Sequence, residues 1–255
     1  MITKDDKHRQ SVRGLRLQGT GVAPGIGLGR IVLIQDYLPE IAETKATAGE
    51  LTRFSGAVER LNNVLRKRAE QAQGIQAGIL ESYLTILSDP HLLTKIEKIV
   101  AERGVNCEYA ANEVFEKYAG DYAMSGDDLL IARSSDIRDI KNNLLKMLRS
   151  GSITDLRTLP AGAVLAARAL APSIAAGLDP EIIHGQITLE GDHRSYPAMI
   201  ARSLGIPAVT DIPIHILEDE MSVIVDGWAG LVFVDPPDDL LEEYRRTGGV
   251  SLHVI

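Results

Sequence analysis

The hydrophobic periodicity of the sequence changes twice, and this constrains the fold more than any other feature. Between residues 48 and 149 apolar side chains recur three and four positions apart, and the only proline is Pro90. Such spacing is typical of amphipathic helices. On both sides of this segment, short β-rich runs alternate with turn residues. Because the strand predicted at 28–34 finds sheet partners only after the helical segment, we expect a helical bundle inserted into an α/β domain.

The same changes predict the domain boundaries. We expect a disordered tail at 1–14, an α/β domain formed by 15–47 and 152–246, an inserted helical bundle at 48–149, and a C-terminal tail at 247–255. Within the bundle, Asp89 and Pro90 predict a helix start and Gly104 predicts the end of that helix. Leu51, Phe54, Val58, Leu61 and Leu65 are predicted to share one helix face.

Composition excludes several classes of protein. The formal net charge of −8 argues against nucleic acid as the main partner, because a phosphate backbone requires a basic face. No apolar run approaches the ~20 residues that cross a bilayer, and the charged opening MITKDDKHRQSVRG has no apolar segment of a signal peptide. We therefore expect a cytoplasmic protein without membrane contact. The single Cys107 excludes an internal disulfide and is expected to be buried.

The stretch LEGDHRSYPAMIARSLGIPAV, residues 189–209, places polar residues at the start of a short helix. Pro197 suits the first turn and favours an extended, capping conformation at Tyr196. Arg202 suits the negative end of the helix dipole, and Gly205 predicts the C-cap. A helix N-terminus directs backbone N–H groups and the positive end of the helix dipole outwards. The N-terminus of this helix is therefore a potential anion site.

This stretch resembles the phosphohistidine domain of Enzyme I of the phosphoenolpyruvate-dependent sugar phosphotransferase system. The family pattern T-D-x-G-G-x-T-S-H-x-A-I-M-A-R-S-L-G-I-P-A-V aligns without a gap with TLEGDHRSYPAMIARSLGIPAV. GVAPGIGLGRIVLI, ILESYLTILSDPHLL, ARSSDIRDIKNNLLKML and VIVDGWAGLVFVDPPDDLLEEYR resemble other family segments, so the similarity extends from residue 17 to 246. It implies an α/β fold, a swivelling β/β/α phosphohistidine domain with an inserted α-helical bundle.

The resemblance also implies partners. The family's histidine-containing phosphocarrier protein would bind the helices at 74–103, around Glu81, Tyr83 and Leu84. Nothing in the sequence resembles the phosphoenolpyruvate-binding barrel, so phosphoenolpyruvate would be bound by a separate domain. We expect no cofactor and no metal site in this chain, since magnesium would be required only with that separate domain.

The sequence departs from the family at the positions that carry the chemistry. The phosphoryl-accepting histidine falls on Tyr196, the preceding aspartate on Leu189, and a phosphate-facing threonine on Ala171. Imidazole is a good nucleophile at neutral pH, whereas a phenol with a pKa near 10 is a poor one. The resemblance therefore predicts a degenerate active site.

Other positions of the site are partly retained. Asp192 replaces the second glycine of the family pair and Arg194 replaces a threonine, whereas Ser195 and the bundle arginine, Arg133, are kept. His193 is an alternative phosphoryl acceptor, but a histidine exposed in a loop is the simpler interpretation. Two functions remain: a binding or regulatory module without transfer, and an active phosphoryl carrier.

Three other features favour structural roles. The glycines of GIGLG, residues 25–29, precede the predicted strand, whereas in a dinucleotide-binding motif they follow it. A bend or bulge at a sheet edge is therefore the favoured interpretation. His184 is predicted in a strand and His91 at a surface helix start.

Overall fold

The computed structural model describes residues 14–34 and 41–247. The chain divides into two compact units, one formed by residues up to 36 together with those from 155 onwards, and the other by residues 37–154. We call them the sheet unit and the helical unit. The predicted tails lie outside the described residues, except for Gly14 and Thr247.

The sheet unit contains an eight-stranded mixed sheet in the described part of the chain. The strand order is β1-β8-β7-β3-β4-β5-β6-β2. β3, β4, β5 and β6 pair in parallel, and the remaining neighbours are antiparallel. The strands are β1 (Leu15–Gln18), β2 (Thr20–Ala23), β3 (Ile26–Leu33), β4 (Ala163–Ala167), β5 (Ile183–Thr188), β6 (Ala208–Thr210), β7 (Ser222–Asp226) and β8 (Leu231–Val234).

Two glycines allow β3 to lie against neighbouring backbone. A β-carbon on Gly27 would lie 1.9 Å from the carbonyl oxygen of His184, and one on Gly29 would lie 2.0 Å from that of Gly162. No side chain fits at these distances. The expectation of an edge position is wrong for both residues, because they lie inside the central strand β3; a register shift occurs instead in the edge strand β2, between Gly21 and Ala23.

Five helices form the helical unit within its described residues. They are α1 (Glu50–Gln71), α2 (Gly74–Leu87), α3 (Pro90–Arg103), α4 (Cys107–Ala123) and α5 (Asp128–Ser150). The Asp89 side chain accepts a hydrogen bond from the amide of His91 at 2.9 Å, and Gly104 ends α3 with φ 63°. Both predictions for this helix are confirmed.

The buried face of α1 agrees with the predicted periodicity from Phe54 onwards. Phe54, Val58, Leu61 and Leu65 are buried. Leu51 is 41% exposed, because Glu50, four residues before Phe54, takes the buried position in the first turn of the helix.

A partly buried ion network joins α1 to α4. The Arg53 guanidinium lies 2.6 Å from a carboxylate oxygen of Glu50 and 2.6 Å from one of Glu108. Burial alone would raise the pKa of Glu50, but hydrogen bonds from Arg53 and from the Cys107 amide outweigh it and lower the pKa to about 2. Cys107 is buried, as predicted, and burial raises the pKa of its thiol.

Three α-helices complete the sheet unit over its described residues: α6 (Pro172–Ala175), α7 (Tyr196–Leu204) and α8 (Asp238–Thr247). The Tyr244 hydroxyl on α8 donates to Asp226 Oδ2 at 3.3 Å, and its ring lies 5.6 Å from that of Phe233. Asp226 is fully buried, and its other oxygen accepts from the amides of Trp228 and Ala229. These contacts fix the C-terminal helix and the β7–β8 turn. No helix within the described ranges is long and apolar enough to cross a membrane.

Replacing Gly27 with alanine should destabilise the sheet unit. The added carbon meets the His184 carbonyl, and overpacking of this kind costs about 1–3 kcal/mol or more. The measurement is urea unfolding followed by fluorescence of Trp228, the only tryptophan, which lies in this unit.

Gly78→Ala is the matched control, because a carbon on Gly78 meets nothing within 4 Å. Far-UV circular dichroism should show it stabilised by roughly 0.5–1 kcal/mol. Equal stability of Gly27→Ala and the wild type would contradict the close approach.

Candidate functional site

Ser195 begins the helix that carries the predicted site. Its side chain accepts a hydrogen bond from the amide of Ala198 at 3.4 Å, and its extended backbone (φ −64°, ψ 146°) makes it the N-cap of α7. Tyr196 is thus the first helical residue, and the expectation that it caps the helix is wrong. A short hydroxyl reaches the third amide of a helix, as a phenol cannot. Gly205 ends α7 with φ 69°, as predicted.

The loop before this helix is exposed and fixed by backbone contacts. Asp192 Oδ1 accepts from the amide of Arg194 at 2.8 Å, and the Asp192 carbonyl accepts from the hydroxyl of Ser195 at 2.9 Å. Arg202 reaches back from α7 and donates to the carbonyls of His193 at 2.6 Å and Val22 at 2.7 Å. Arg202 therefore anchors the loop and β2, a role that the dipole argument does not predict.

The loops that follow β4 and β5 contact each other. The amides of Leu189 and Glu190 donate to the carbonyl of Arg168, at 3.1 Å and 2.7 Å. Carboxyl ends of parallel strands meet at one edge of a sheet. This edge carries the sequence-predicted positions of the sheet unit, because Ala171 directly precedes α6 and α6 packs against α7.

The side chains at this edge differ in exposure. Leu189 is 38% exposed, Tyr196 is half-buried, and Asp192, His193 and Arg194 are exposed. The structure records no hydrogen bond from the His193 imidazole or the Tyr196 phenol to another described side chain. Within the described residues, therefore, no carboxylate holds either ring through a hydrogen bond.

A small cavity lies behind the loop, inside the sheet unit. Its volume is about 80 Å³, and its lining includes Gln186, Thr188, Gly191, Ser195 and Thr210. Gln186 and Thr210 are each only 2% exposed. Sequence reasoning missed these residues, although polar side chains inside the β-rich runs HGQITL and PAVTDI were an available signal.

The helical unit carries a larger groove of about 560 Å³. Arg133 on α5 lies in it and contacts the hydroxyl of Ser82 on α2. The rest of the lining is mostly apolar and aromatic, with polar groups from α2 and the α3 cap: Thr85, Ile86, Asp89, Leu92, Tyr118, Tyr122, Leu130 and Ile137. Spacing along α5 is the signal that could have identified Leu130 and Ile137, because they stand three before and four after Arg133.

Asp136 is a buried carboxyl next to this groove. It is 2% exposed, and its Oδ1 atom has no hydrogen-bond partner among the described residues. Burial raises its pKa to about 6, the Arg133 charge opposes this increase, and the Asp139 carboxylate adds to it. The guanidinium of Arg133 lies 3.9 Å from Asp136 Oδ2.

The three residues predicted for carrier binding do not share one surface. Tyr83 is fully buried, and its hydroxyl donates to Asp139 Oδ2 at 2.6 Å. Its assignment to the binding surface is therefore wrong, because the hydrogen bond draws the phenol into the bundle. Glu81 is exposed and Leu84 is half-buried on the same helix.

Other predicted histidines have structural surroundings. His184 on β5 is exposed, and its Nδ1 atom lies 3.2 Å from the carbonyl oxygen of Leu28. His91 lies exposed at the start of α3. One cluster was not predicted: ligand atoms of Glu50, Cys107 and Glu108 lie within 4.8 Å of one another. Arg53 pairs with both carboxylates, so the cluster is part of the ion network between α1 and α4.

Asp136→Asn should stabilise the helical unit at pH 7. The pKa of Asp136 is about 6 in the folded state, against an ordinary value of 3.8. Between pH 6 and pH 4 the folded state therefore binds more protons than the unfolded state does. The free energy of unfolding of the wild type accordingly rises as the pH falls through this range. The variant should lose that dependence and gain on the order of 3 kcal/mol at pH 7. Urea unfolding at pH 4–8 measures this, with exposed Asp121→Asn as control. A less stable variant at pH 7 would contradict the buried-charge account.

Comparisons with known proteins agree on one family. Residues 18–133 match the family model "PEP-utilising enzyme, N-terminal", and residues 159–230 match "PEP-utilising enzyme, mobile domain". The chain is 32% identical to a phosphoenolpyruvate-protein phosphotransferase of Haloferax volcanii and 29% identical to that of Bacillus subtilis strain 168. These alignments cover 92% and 90% of this chain, but only 43% and 42% of the relatives, so the chain spans less than half their length.

Solved structures extend the match to the fold. A solution structure of Enzyme I (nEIt) has a TM-score of 0.79 and 30% identity, covering 92% of this chain and 99% of that one. The N-terminal domain of Enzyme 1 - Nitrogen has a TM-score of 0.66 and 30% identity, covering 90% and 98%. The chain therefore belongs to the PEP-utilising enzyme family and is an N-terminal module of the Enzyme I, or phosphoenolpyruvate-protein phosphotransferase, type.

Proposed function

We propose that this Enzyme I-like module binds a histidine-containing phosphocarrier protein of the sugar phosphotransferase system and does not itself relay a phosphoryl group, because Tyr196 stands in place of the accepting histidine. The observation that carries this proposal is Tyr196 as the first residue of α7, directly after the Ser195 cap. The helix start of a phosphate site is kept there, whereas the group that would accept phosphate is a phenol. The module then acts by binding and regulation.

The chemistry of the phenol supports loss of transfer. A relay residue must attack a phosphoryl group and then release it to the next acceptor. Neutral imidazole does both near pH 7, whereas a phenol with a pKa near 10 is largely protonated and forms a far more inert ester. Transfer through Tyr196 would therefore be slow in both directions.

Two further side chains support the same conclusion. Leu189 is partly exposed at the end of β5, where the family has a carboxylate that would orient an imidazole. Ala171, at the start of α6, has no hydroxyl to contact a phosphoryl group. An imidazole needs a partner that holds its tautomer and ring plane, so the loss extends beyond the nucleophile. Asp192 adds a negative charge in the loop that an incoming phosphate would meet.

Active phosphoryl transfer through His193 is the second candidate function. It is favoured by the exposed imidazole and by Arg202, which fixes the His193 carbonyl. However, His193 stands three residues before the family position, and in-line transfer tolerates only small displacements. We therefore rank it second. The phosphoryl group would come from a phosphoenolpyruvate-binding domain in this case.

The helical-unit groove is the proposed surface for the phosphocarrier. It combines apolar and aromatic side chains with the half-exposed Arg133, a residue type that carries much of the binding energy in interfaces. Arg133 also matches the family's bundle arginine. A guanidinium can pair with the phosphate of a phosphorylated carrier in a bidentate manner. The proposal thus moves the binding surface from Tyr83 to the groove beside it.

The proposed loss of phosphoryl transfer is tested by incubating the unaltered chain with labelled phosphoenolpyruvate, magnesium, an active phosphoenolpyruvate-binding domain of an Enzyme I, and the carrier. We expect no label on this chain, either acid-labile as on histidine or acid-stable as on tyrosine, and no label passed to the carrier. His193→Gln is the control that separates the two candidates. Acid-labile label that disappears in this variant would contradict the proposal and support the second function.

Restoring the site should show that its groups act as a unit. Tyr196→His alone should recover little transfer, because the imidazole lacks its orienting partners. Adding Leu189→Asp and Ala171→Thr should recover more than the sum of the single changes. Initial rates of labelled carrier formation measure this. Full recovery by Tyr196→His alone would show that only the nucleophile is missing.

Arg133→Ala should weaken carrier binding by about 10-fold or more, as expected for an arginine anchor. Titration calorimetry with unphosphorylated and phosphorylated carrier measures the effect. Arg138→Ala is the matched control, because Arg138 lies on the same helix, is similarly exposed and pairs with Glu116 outside the groove. Equal affinities of the Arg133 and Arg138 variants would rule out the groove.

A further inference from the structure

The cavity behind the 189–195 loop contains buried polar atoms that form no hydrogen bond with any described residue. Gln186 Nε2 and Thr210 Oγ1 have no hydrogen-bond partner among the described residues, and both side chains line this cavity. Each residue is only 2% exposed. A buried polar group without a partner costs free energy, and buried groups in proteins are nearly always paired. Two such groups at one cavity point to a ligand.

Three hydroxyl groups converge on one position in the sheet unit. A β-carbon on Gly191 would lie 3.7 Å from Thr210 Oγ1, 3.8 Å from Thr188 Oγ1 and 3.9 Å from Ser195 Oγ. Gly191 has a φ of 139°, and its missing side chain leaves this position accessible to another group. The three oxygens come from β6, β5 and the cap of α7. A molecule bound beside Gly191 could therefore link the sheet to the N-terminus of α7.

The size and charge of the cavity select the ligand. Its volume of about 80 Å³ exceeds the roughly 10–15 Å³ that one water needs, so more than one water fits. Glu190, which pairs with Arg168, and Asp192 also line it, and the negative charge of Asp192 disfavours a buried oxyanion. Amide and hydroxyl groups instead suit a neutral molecule that both donates and accepts hydrogen bonds.

We propose that this cavity is a binding site for a small cluster of ordered waters. The waters accept from Gln186 Nε2 and exchange hydrogen bonds with Thr210 Oγ1. They join β5 and β6 to the loop that precedes α7. The cluster thereby stabilises the loop that precedes Ser195 and Tyr196, whichever function the N-terminus of α7 has.

Thr210→Val tests the site, because it removes the hydroxyl and keeps the side-chain volume. If waters bind, the variant deprives them of a partner and should lower the unfolding midpoint, followed by Trp228 fluorescence, by about 2–5 °C. Thr20→Val is the matched control: Thr20 pairs with Thr210 on the neighbouring strand but is exposed. The control should leave the midpoint nearly unchanged. A Thr210→Val midpoint above the wild type would show a dry cavity and overturn the proposal.

A direct measurement complements the variants. Water–amide cross-relaxation in the labelled protein should reveal long-lived waters near Gly191 and the Gln186 side-chain amide, and Gln186→Leu should remove them. Inorganic phosphate is the second probe. Saturable shifts confined to these residues on adding phosphate would identify an anion site and overturn the neutral-ligand assignment, whereas unchanged spectra support it.

Discussion

Pairing between the two ends of the chain holds the sheet unit together. β3 lies between β4 and β7, so Arg30 pairs with Ala163 and Leu28 with Ile224, across the whole helical unit in sequence. Such long-range contacts impose a large loop-closure cost before any hydrogen bond forms. Gly27 and Gly29 permit the close backbone contacts in this strand. The parallel order of β3 to β6 then brings the loops after β4 and β5 to one edge.

At this edge of the sheet, the residues that fix the backbone of α7 are different from the residue at the phosphoryl-acceptor position. Ser195, Arg202 and Gly205 fix where α7 begins, how its loop is held and where it ends. None of these features depends on which residue stands at position 196. The N-terminus of a helix can therefore keep its geometry while the side chain at the reactive position changes. Similarity of fold alone does not establish phosphoryl transfer.

Local signals in the sequence predicted local structure well. The Asp89 cap, Gly104 and Gly205 are decided by a few neighbouring residues, and the structure confirms them. The resemblance to Enzyme I gave the fold class and family. Burial depended on tertiary contacts: Tyr83 was expected at the surface, yet its hydroxyl bonds to Asp139 on another helix. The Thr210 hydroxyl, which has no hydrogen-bond partner among the described residues, and the raised pKa of Asp136 arise in the same way, from neighbours distant in sequence.

The central claim concerns what residue 196 can carry. Intact-mass analysis of the chain, after incubation with phosphoenolpyruvate, magnesium and an active phosphoenolpyruvate-binding domain of an Enzyme I, tests it most directly. The account predicts an unmodified mass under conditions in which an Enzyme I N-terminal domain with a histidine at this position gains one phosphoryl group. A phosphoryl adduct on the unaltered chain, mapped to Tyr196 and transferable to the phosphocarrier, would contradict it.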